Sequence, residues 1–358
     1  MSIPRVLRGV GRARLGAAGP ASLLPTSTRL RARALSESGS VLPARLHTLP
    51  AVRRRQDDSS ILSKEPTIRE APASEPVFGA GRPGPADVVP TLATFSLQGK
   101  VGVVTGGARG LGLVMGQGMV ISGADLAIVD LNKEEAALQA QNIIDTYRRD
   151  HPDAKSRLPN VTAHYADVAD PDSVEACVTE IVAAHGRIDN LVTSAGFTEN
   201  FKADKYPVDR MRKLWAVNVD GTYLFATAVA RHMMERKAKG SMVFIGSMSG
   251  AIVNVPQPQA PYNASKAAVR HLCASLSVEW APKNIRVNTI SPGYMLTALT
   301  KKILDNKPDL KEAWISRIPQ GRMGSPQDLM GPVTFLLSDA SAYVTGADLR
   351  VDGGYTVV

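Results

Sequence analysis

The chain has 358 residues and a formal net charge of +9, and that charge is unevenly placed. Residues 1–55 hold eleven arginines, no lysine and one acid, Glu37, so this arm carries +10 and the remainder −1. A basic balance of that origin gives the folded part no nucleic-acid surface, and no stretch approaches the ~20 apolar residues of a membrane span, so neither a nucleic-acid partner nor membrane insertion is expected.

The arm is rich in Arg, Ala, Ser and Leu and almost free of acids. This composition suits a mitochondrial transit peptide, removed after import to the matrix, with cleavage between about Arg33 and Arg55. A disordered basic tail on a cytoplasmic protein is the alternative. Residues 56–94 read as a Pro-rich linker. Residues 95–358 remain as one domain, long enough to bury roughly 70–75% of its unfolded surface without crosslinks. Cys177, Cys273 and the six histidines show no redox or metal spacing, so no metal is expected.

From Lys100 onward, strand and helix patterns alternate. "KVGVVTG" reads as a buried strand closed by glycines, with a helix over 109–122 behind it. "ADLAIVD" (124–130) is the second strand. "NKEEAALQAQNIIDTYRRD" is a helix with Glu134 and Glu135 early and Arg148 and Arg149 late, which complements the macrodipole. Further strands are predicted at 161–167, 190–195, 241–247 and 285–293, with helices over about 170–185, 207–236 and 260–282. "GADLRVDGG" closes the series as a seventh strand. The strands are continuous apolar runs, which means burial on both faces. Alternating βα units predict an α/β fold, a doubly wound parallel sheet of the Rossmann type. Its ligands should bind beyond the C-terminal strand ends.

The first strand ends in "TGGARGLG", Thr105 to Gly112. A lone glycine pattern is weak evidence, but this one follows a strand and opens a helix. Gly106 permits the tight turn. The backbone of Arg109, Gly110, Leu111 and Gly112 can meet a pyrophosphate at a helix N-terminus. The second strand ends at Asp130, whose carboxylate suits ribose hydroxyls and repels a 2′-phosphate. Asp130 therefore favours NAD, while Arg109 leaves NADP open. Asp167, with Val168 beside it, is placed to meet the adenine amino group. Asp170 or Asp172 fits better as cap of the following helix. Ala195 and Gly196 put small backbone beside the cofactor.

Tyr262 and Lys266 are four apart in a helical stretch and share one face. An ammonium within reach lowers a phenol by about 1–3 units, which makes Tyr262 a usable acid or base near neutral pH. A serine at the fifth strand's end can orient the substrate oxygen. Asn218 can hold a water that links Lys266 to solvent. Together these give a constellation for hydride transfer at a carbonyl.

The set resembles the short-chain dehydrogenase/reductase family. It comprises TGGARGLG, Asp167 in "ADV", "AG" at 195–196, Asn218 in "VNVDG", YNASK (262–266), "SPG" with Thr297, and "VDGGYT". The resemblance covers essentially all of 95–358 and implies a seven-stranded sheet, a Ser–Tyr–Lys–Asn tetrad and a homotetramer. It also implies that Pro292, Gly293 and Thr297 contact the nicotinamide carboxamide. "TSAG" departs from the family's usual "NNAG". Within the family, "GADLAIVDLN", "AGFTENF", "IGSMSGAIVNVPQPQ" and "SPGYMLTALT" are similar to fungal polyol dehydrogenases, the ribulose-forming arabinitol type above all. That similarity implies a polyol or ketose substrate. A mitochondrial NADPH-dependent 3-oxoacyl thioester reductase and an NADP-dependent mannitol or xylulose reductase are the alternatives.

The loop after Ser247 offers Asn254, Gln257 and Gln259, amides suited to hydroxyl groups. Glu199 and Asn200 are further candidates for substrate contact; the alternative is that the amides are ordinary loop residues facing water. The family's usual spacing before the tyrosine, about thirteen, selects Ser249. Ser247 instead directly follows the buried strand and stands three before Gly250, where the sheet holds it. Ser247 is therefore assigned to catalysis, and Ser249 to substrate contact or to support behind Ser247.

Overall fold

The computed structural model describes residues 90–152 and 158–358. The expected transit peptide and the linker up to residue 89 lie outside the described residues. A short 3₁₀ helix, Thr91–Phe95, leads into the domain, and Phe95 meets Phe335 with ring centroids 5.9 Å apart.

Seven parallel strands form one sheet. β1 is Val101–Thr105, β2 Asp125–Asp130, β3 Val161–Tyr165 and β4 Asn190–Thr193. β5 is Gly240–Ile245, β6 Ile285–Pro292 and β7 Asp348–Val351. The order is β3-β2-β1-β4-β5-β6-β7, so the chain reverses direction across the sheet between β1 and β4. Side chains alternate between faces along each strand. Val103, Leu191 and Met242 enter one apolar layer, and their neighbours Val104, Val192 and Val243 enter the other. Both layers are buried, which is why the strands read as unbroken apolar runs.

Helices α1 (Gly110–Ile121), α2 (Lys133–Asp150) and α3 (Pro171–His185) follow the first three strands. Asn132 caps α2 by accepting from Glu135 N at 3.0 Å. Asp170 caps α3 by accepting from Asp172 N at 3.1 Å, and Gly186 ends that helix in the left-handed region. With Asp170 in that role, Asp167 is not the cap.

The structure departs from the single helix expected over 207–236. It contains α4 (Val208–Trp215), a π-helical segment Ala216–Asp220, and α5 (Gly221–Glu235). α6 is Ala260–Trp280. Three helices unread in the sequence follow β6: α7 (Ala298–Leu304), α8 (Pro308–Ile315) and α9 (Met330–Leu337). α7 and α8 contribute Leu304 and Trp314 to a small separate core with Met248, Tyr294 and Tyr355, which roofs the end of β5. Among the described residues, no helix is long and apolar enough to cross a membrane.

Candidate active site

The site forms where strands end, beside the switch point. After β1, Gly106 has φ +62°, and a Cβ there would come 2.8 Å from Ala195 Cα. A Cβ on Gly112 would lie 2.3 Å from the Gly106 carbonyl oxygen. The turn, the start of α1 and the end of β4 therefore pack backbone against backbone. Thr105 fastens the same corner, its Oγ1 accepting from Ser194 N at 3.2 Å and Ala195 N at 3.3 Å.

Arg109, the residue before α1, gives no side-chain cap to that helix. Gly110 lies beside open space, at φ +60°. The first-turn N–H groups around Leu111 thus face outward without a side-chain acceptor, a fit for a pyrophosphate. Asp130, at the end of β2, accepts from Ala108 N and Asn132 N at 3.1 Å each. Its carboxylate is pinned beside the glycine turn. Asp167 Oδ1 accepts from Ala169 N at 3.0 Å, and Val168 packs against Gly221, where a Cβ would meet it at 2.7 Å.

On the far side of the switch point stands the Ser–Tyr–Lys group. Ser247 is buried just past β5. Tyr262 and Lys266 lie one turn apart on α6. Lys266 Nζ donates to Ile245 O at 2.8 Å and sits 5.8 Å from the centre of the Tyr262 ring. Burial lowers the Lys266 ammonium to about 8. Burial also raises the Tyr262 phenol above its ordinary value, and a hydrogen bond with Ser247 opposes this. The expected lowering by Lys266 is therefore not what the protein alone displays. Nζ is aimed at the Ile245 carbonyl, and desolvation dominates the phenol.

Asn218 is buried in the π segment. Its Oδ1 accepts from Phe197 N, and its Nδ2 donates to Phe197 O and Ser265 Oγ, all at 3.1 Å. Both amide hydrogens are engaged, so the side chain is a clamp between the β4 loop and α6. A water linking Lys266 to solvent would have to donate to an oxygen of Asn218, since its side-chain hydrogens are taken. Gly196 borders this clamp, because a Cβ there would lie 3.1 Å from Asn218 Oδ1 and 3.6 Å from Lys266 Nζ.

The amides of the 251–259 loop turn inward. Asn254 and Gln259 are buried. Asn254 Oδ1 accepts from Ser249 Oγ and from Gln259 Nε2, and Ser249 Oγ accepts from Ser247 Oγ at 3.0 Å. Gln257 Nε2 donates to Tyr294 Oη at 2.9 Å, while Gln257 Oε1 accepts from Trp314 Nε1 at 3.3 Å. These groups were expected to face substrate, yet they satisfy one another, as buried polar groups must. Glu199 is paired with Arg210 and lies 3.4 Å from Tyr206, and Asn200 is exposed. Neither contacts the Ser–Tyr–Lys group.

Past β6, a Cβ on Gly293 would lie 2.8 Å from Asp352 Cα. The backbone after Pro292 is thus closely packed. Thr297 caps α7 in a box with Thr300. Sequence reasoning missed Ser265, Tyr294, Trp314 and Arg270. Arg270 stands one turn beyond Lys266; it donates to Gly250 O and pairs with Asp348, both at 2.8 Å. Tyr294 follows "SPG" directly, a placement that could have flagged it. Trp314 lies in a stretch without any motif.

A glycine-lined helix start on one side of a switch point, and a half-buried phenol beside a buried ammonium on the other, make a nicotinamide-dependent oxidoreductase site. The family model described as enoyl-(acyl carrier protein) reductase matches residues 106–356. A D-arabinitol 2-dehydrogenase (ribulose-forming) of Scheffersomyces stipitis is 41% identical, over 75% of this chain and 97% of that protein. An NADH-dependent L-xylulose reductase of Ambrosiozyma monospora is 40% identical, over 74% and 98%. The crystal structure of a Burkholderia cenocepacia gluconate 5-dehydrogenase with NADP and tartrate superposes with a TM-score of 0.68 at 35% identity, over 75% of this chain and 99% of that one. The chain belongs to the short-chain dehydrogenase/reductase family, and it is an oxidoreductase of CH–OH groups.

Proposed function

We propose that this enzyme interconverts a sugar alcohol and a ketose, of the D-arabinitol/D-ribulose kind, with NAD(H) preferred. The observation that carries the reading is the Ser247–Tyr262–Lys266 group beside the glycine turn. The arabinitol and xylulose relatives support the substrate class. Asp130 supports NAD, since a second negative charge beside its pinned carboxylate is unfavourable.

The dinucleotide, when bound, takes up or delivers a hydride at its nicotinamide ring. The α1 N-terminus would hold its pyrophosphate, Asp130 its adenosine ribose, and the backbone around Gly196 and Pro292–Gly293 its nicotinamide half. Tyr262 moves the proton: its phenolate takes the alcohol's proton in oxidation, and its phenol returns one to the carbonyl in reduction. Ser247 stands beside Tyr262 and orients the substrate against it. Lys266 places positive charge beneath the phenol ring and stabilises the phenolate. Asn218 fixes the β4 loop to α6, so the two halves of the site keep register.

The test is a panel of D-arabinitol, xylitol, mannitol and sorbitol with NAD and NADP, run beside D-ribulose, xylulose and acetoacetyl thioesters with the reduced cofactors. Turnover of pentitols and ketopentoses above the thioesters is expected. Turnover of the thioesters alone would replace this reading with an acyl reductase. The acid-poor basic arm supports import into mitochondria, which a fluorescent fusion with and without residues 1–55 would test.

A further inference from the structure

The loop between Ser247 and Tyr262 decides which way the Ser247 hydroxyl points. Asn254 Oδ1 is a carbonyl oxygen and only accepts, so the Ser249 hydroxyl donates to it. Gln259 Nε2 agrees with this polarity, sharing its two hydrogens among Asn263 Oδ1 at 2.9 Å, Asn254 Oδ1 at 3.0 Å and Ser249 Oγ at 3.3 Å. With its one hydrogen engaged, Ser249 Oγ can only accept from Ser247, at 3.0 Å. Ser247 Oγ also accepts the Ser249 backbone N–H at 3.1 Å. What remains to Ser247 is a lone pair, the one that meets Tyr262 and that a substrate hydroxyl would take over when the phenol turns to the reacting oxygen.

The polarity is set from further off as well. Asn254 Nδ2 donates to Tyr294 Oη at 3.4 Å, which keeps its Oδ1 turned toward Ser249. Tyr294 is stacked on Trp314 of α8, with centroids 4.1 Å apart. Ser249, Asn254 and Gln259 are all buried, where hydrogen bonds hold direction most firmly.

We propose that Ser249 is a positioning residue that makes Ser247 an acceptor toward the substrate. The enzyme thereby selects ketones and alcohols that carry a hydroxyl on the carbon next to the reacting one. This rests on the polyol reading above and sharpens it. An adjacent hydroxyl donates to Ser247 Oγ while the reacting oxygen faces Tyr262. A plain ketone offers only an acceptor. To serve it, Ser247 must turn its hydrogen away from Ser249 and give up that buried bond. A charged phenolate can compel that turn, because charge-assisted bonds are about twice as strong; a neutral carbonyl cannot.

The test compares kcat/KM for 1-hydroxybutan-2-one and butan-2-one in the full-length enzyme, with D-ribulose as the reference substrate. Wild type, Ser249→Ala and Ser249→Cys are measured, each with its melting temperature. Loss of the Ser249 hydroxyl leaves Asn254 Oδ1 bonded to Gln259, so both variants are expected to fold. Wild type should favour the hydroxyketone by roughly tenfold or more, and both variants should lower that ratio about 3–10-fold, mainly through KM. A ratio unmoved in both folded variants overturns the proposal. So does a wild type that reduces D-ribulose yet treats the two butanones alike, and in that case the polyol reading survives. Failure to reduce D-ribulose and xylulose with either cofactor overturns both.

Discussion

Lys266 Nζ donates to the main-chain oxygen of Ile245 at 2.8 Å, tying the catalytic helix to the last residue of β5. The bond holds the ammonium in a buried place, and burial brings its pKa down from 10.5 to about 8. Between those values the unfolded chain keeps a proton that the folded protein has lost. Stability from this group therefore rises with pH across that window, and the full cost of the buried charge is present below about 8. Lys266→Met removes the charge. Melting temperatures of wild type and variant should differ most in the variant's favour near pH 7, and that advantage should shrink toward pH 10. Parallel curves would contradict it.

Tyr262 is raised by burial and held back by Ser247. Alcohol oxidation needs the phenolate, so its kcat/KM should climb into the alkaline range, while ketone reduction declines there. Ser247→Ala removes the opposing bond and should move the ascending limb to higher pH, beyond a loss of rate of about 10²-fold or more. A full pH–rate profile in both directions checks this.

Gly106→Ala places a methyl 2.8 Å from Ala195 Cα at a positive φ. The turn must shift, and the start of α1 shifts with it. The expected outcome is a stability loss of about 1–3 kcal/mol and a dinucleotide Kd raised at least tenfold, read by calorimetric titration. Gly110→Ala meets open space, so its loss should come from strain alone and be smaller in stability.

Asp130→Asn keeps the shape of the side chain and removes its charge. The ratio of kcat/KM for NAD over NADP should fall about tenfold or more, with the gain on NADP read directly. An unchanged ratio would shift cofactor choice to Arg109.

Tyr294→Phe removes the acceptor shared by Asn254 Nδ2 and Gln257 Nε2. One buried donor, Asn254, and one half-buried donor, Gln257, lose a partner, at a cost of about 1–3 kcal/mol. KM for the ketose should rise more than kcat falls, since the loop, rather than Tyr262, is loosened.

The sheet was legible because each strand is a run of apolar residues ended by a turn signal, and the site residues stand at those ends. The Ser247 assignment follows from the same logic, for β5 ends at Ile245 and the serine is two residues on. The π segment was not legible. "KLWAVNVDGTYLF" fits unbroken helical spacing, and the bonds of Asn218 to Phe197 and Ser265, which accompany the π turn, are tertiary contacts that the spacing does not carry. The roles of Asn254 and Gln259 were also hidden. An amide in a loop looks the same whether it faces a sugar or another amide, and the difference lies in Tyr294 and Trp314, far along the chain. Residues 301–345 gave no motif, and the side chains that α8 and α9 supply there, such as Trp314, Val333 and Leu336, are core-packing residues without a fixed spacing.

The π segment Ala216–Asp220 has a consequence for how this gene can change. An α-helix turns 100° per residue, and a π turn accommodates one residue beyond the α count. Deleting any residue of 216–220 would let the helix run straight, and the two ends could no longer both be satisfied. Either Asn218 would swing off Phe197, or Phe225, Val229 and Met233 of α5 would swing out of the core. Inserting a residue would force the same choice. The length of this segment is therefore fixed from both ends, and a one-codon gap there should mark a relative that has given up the clamp.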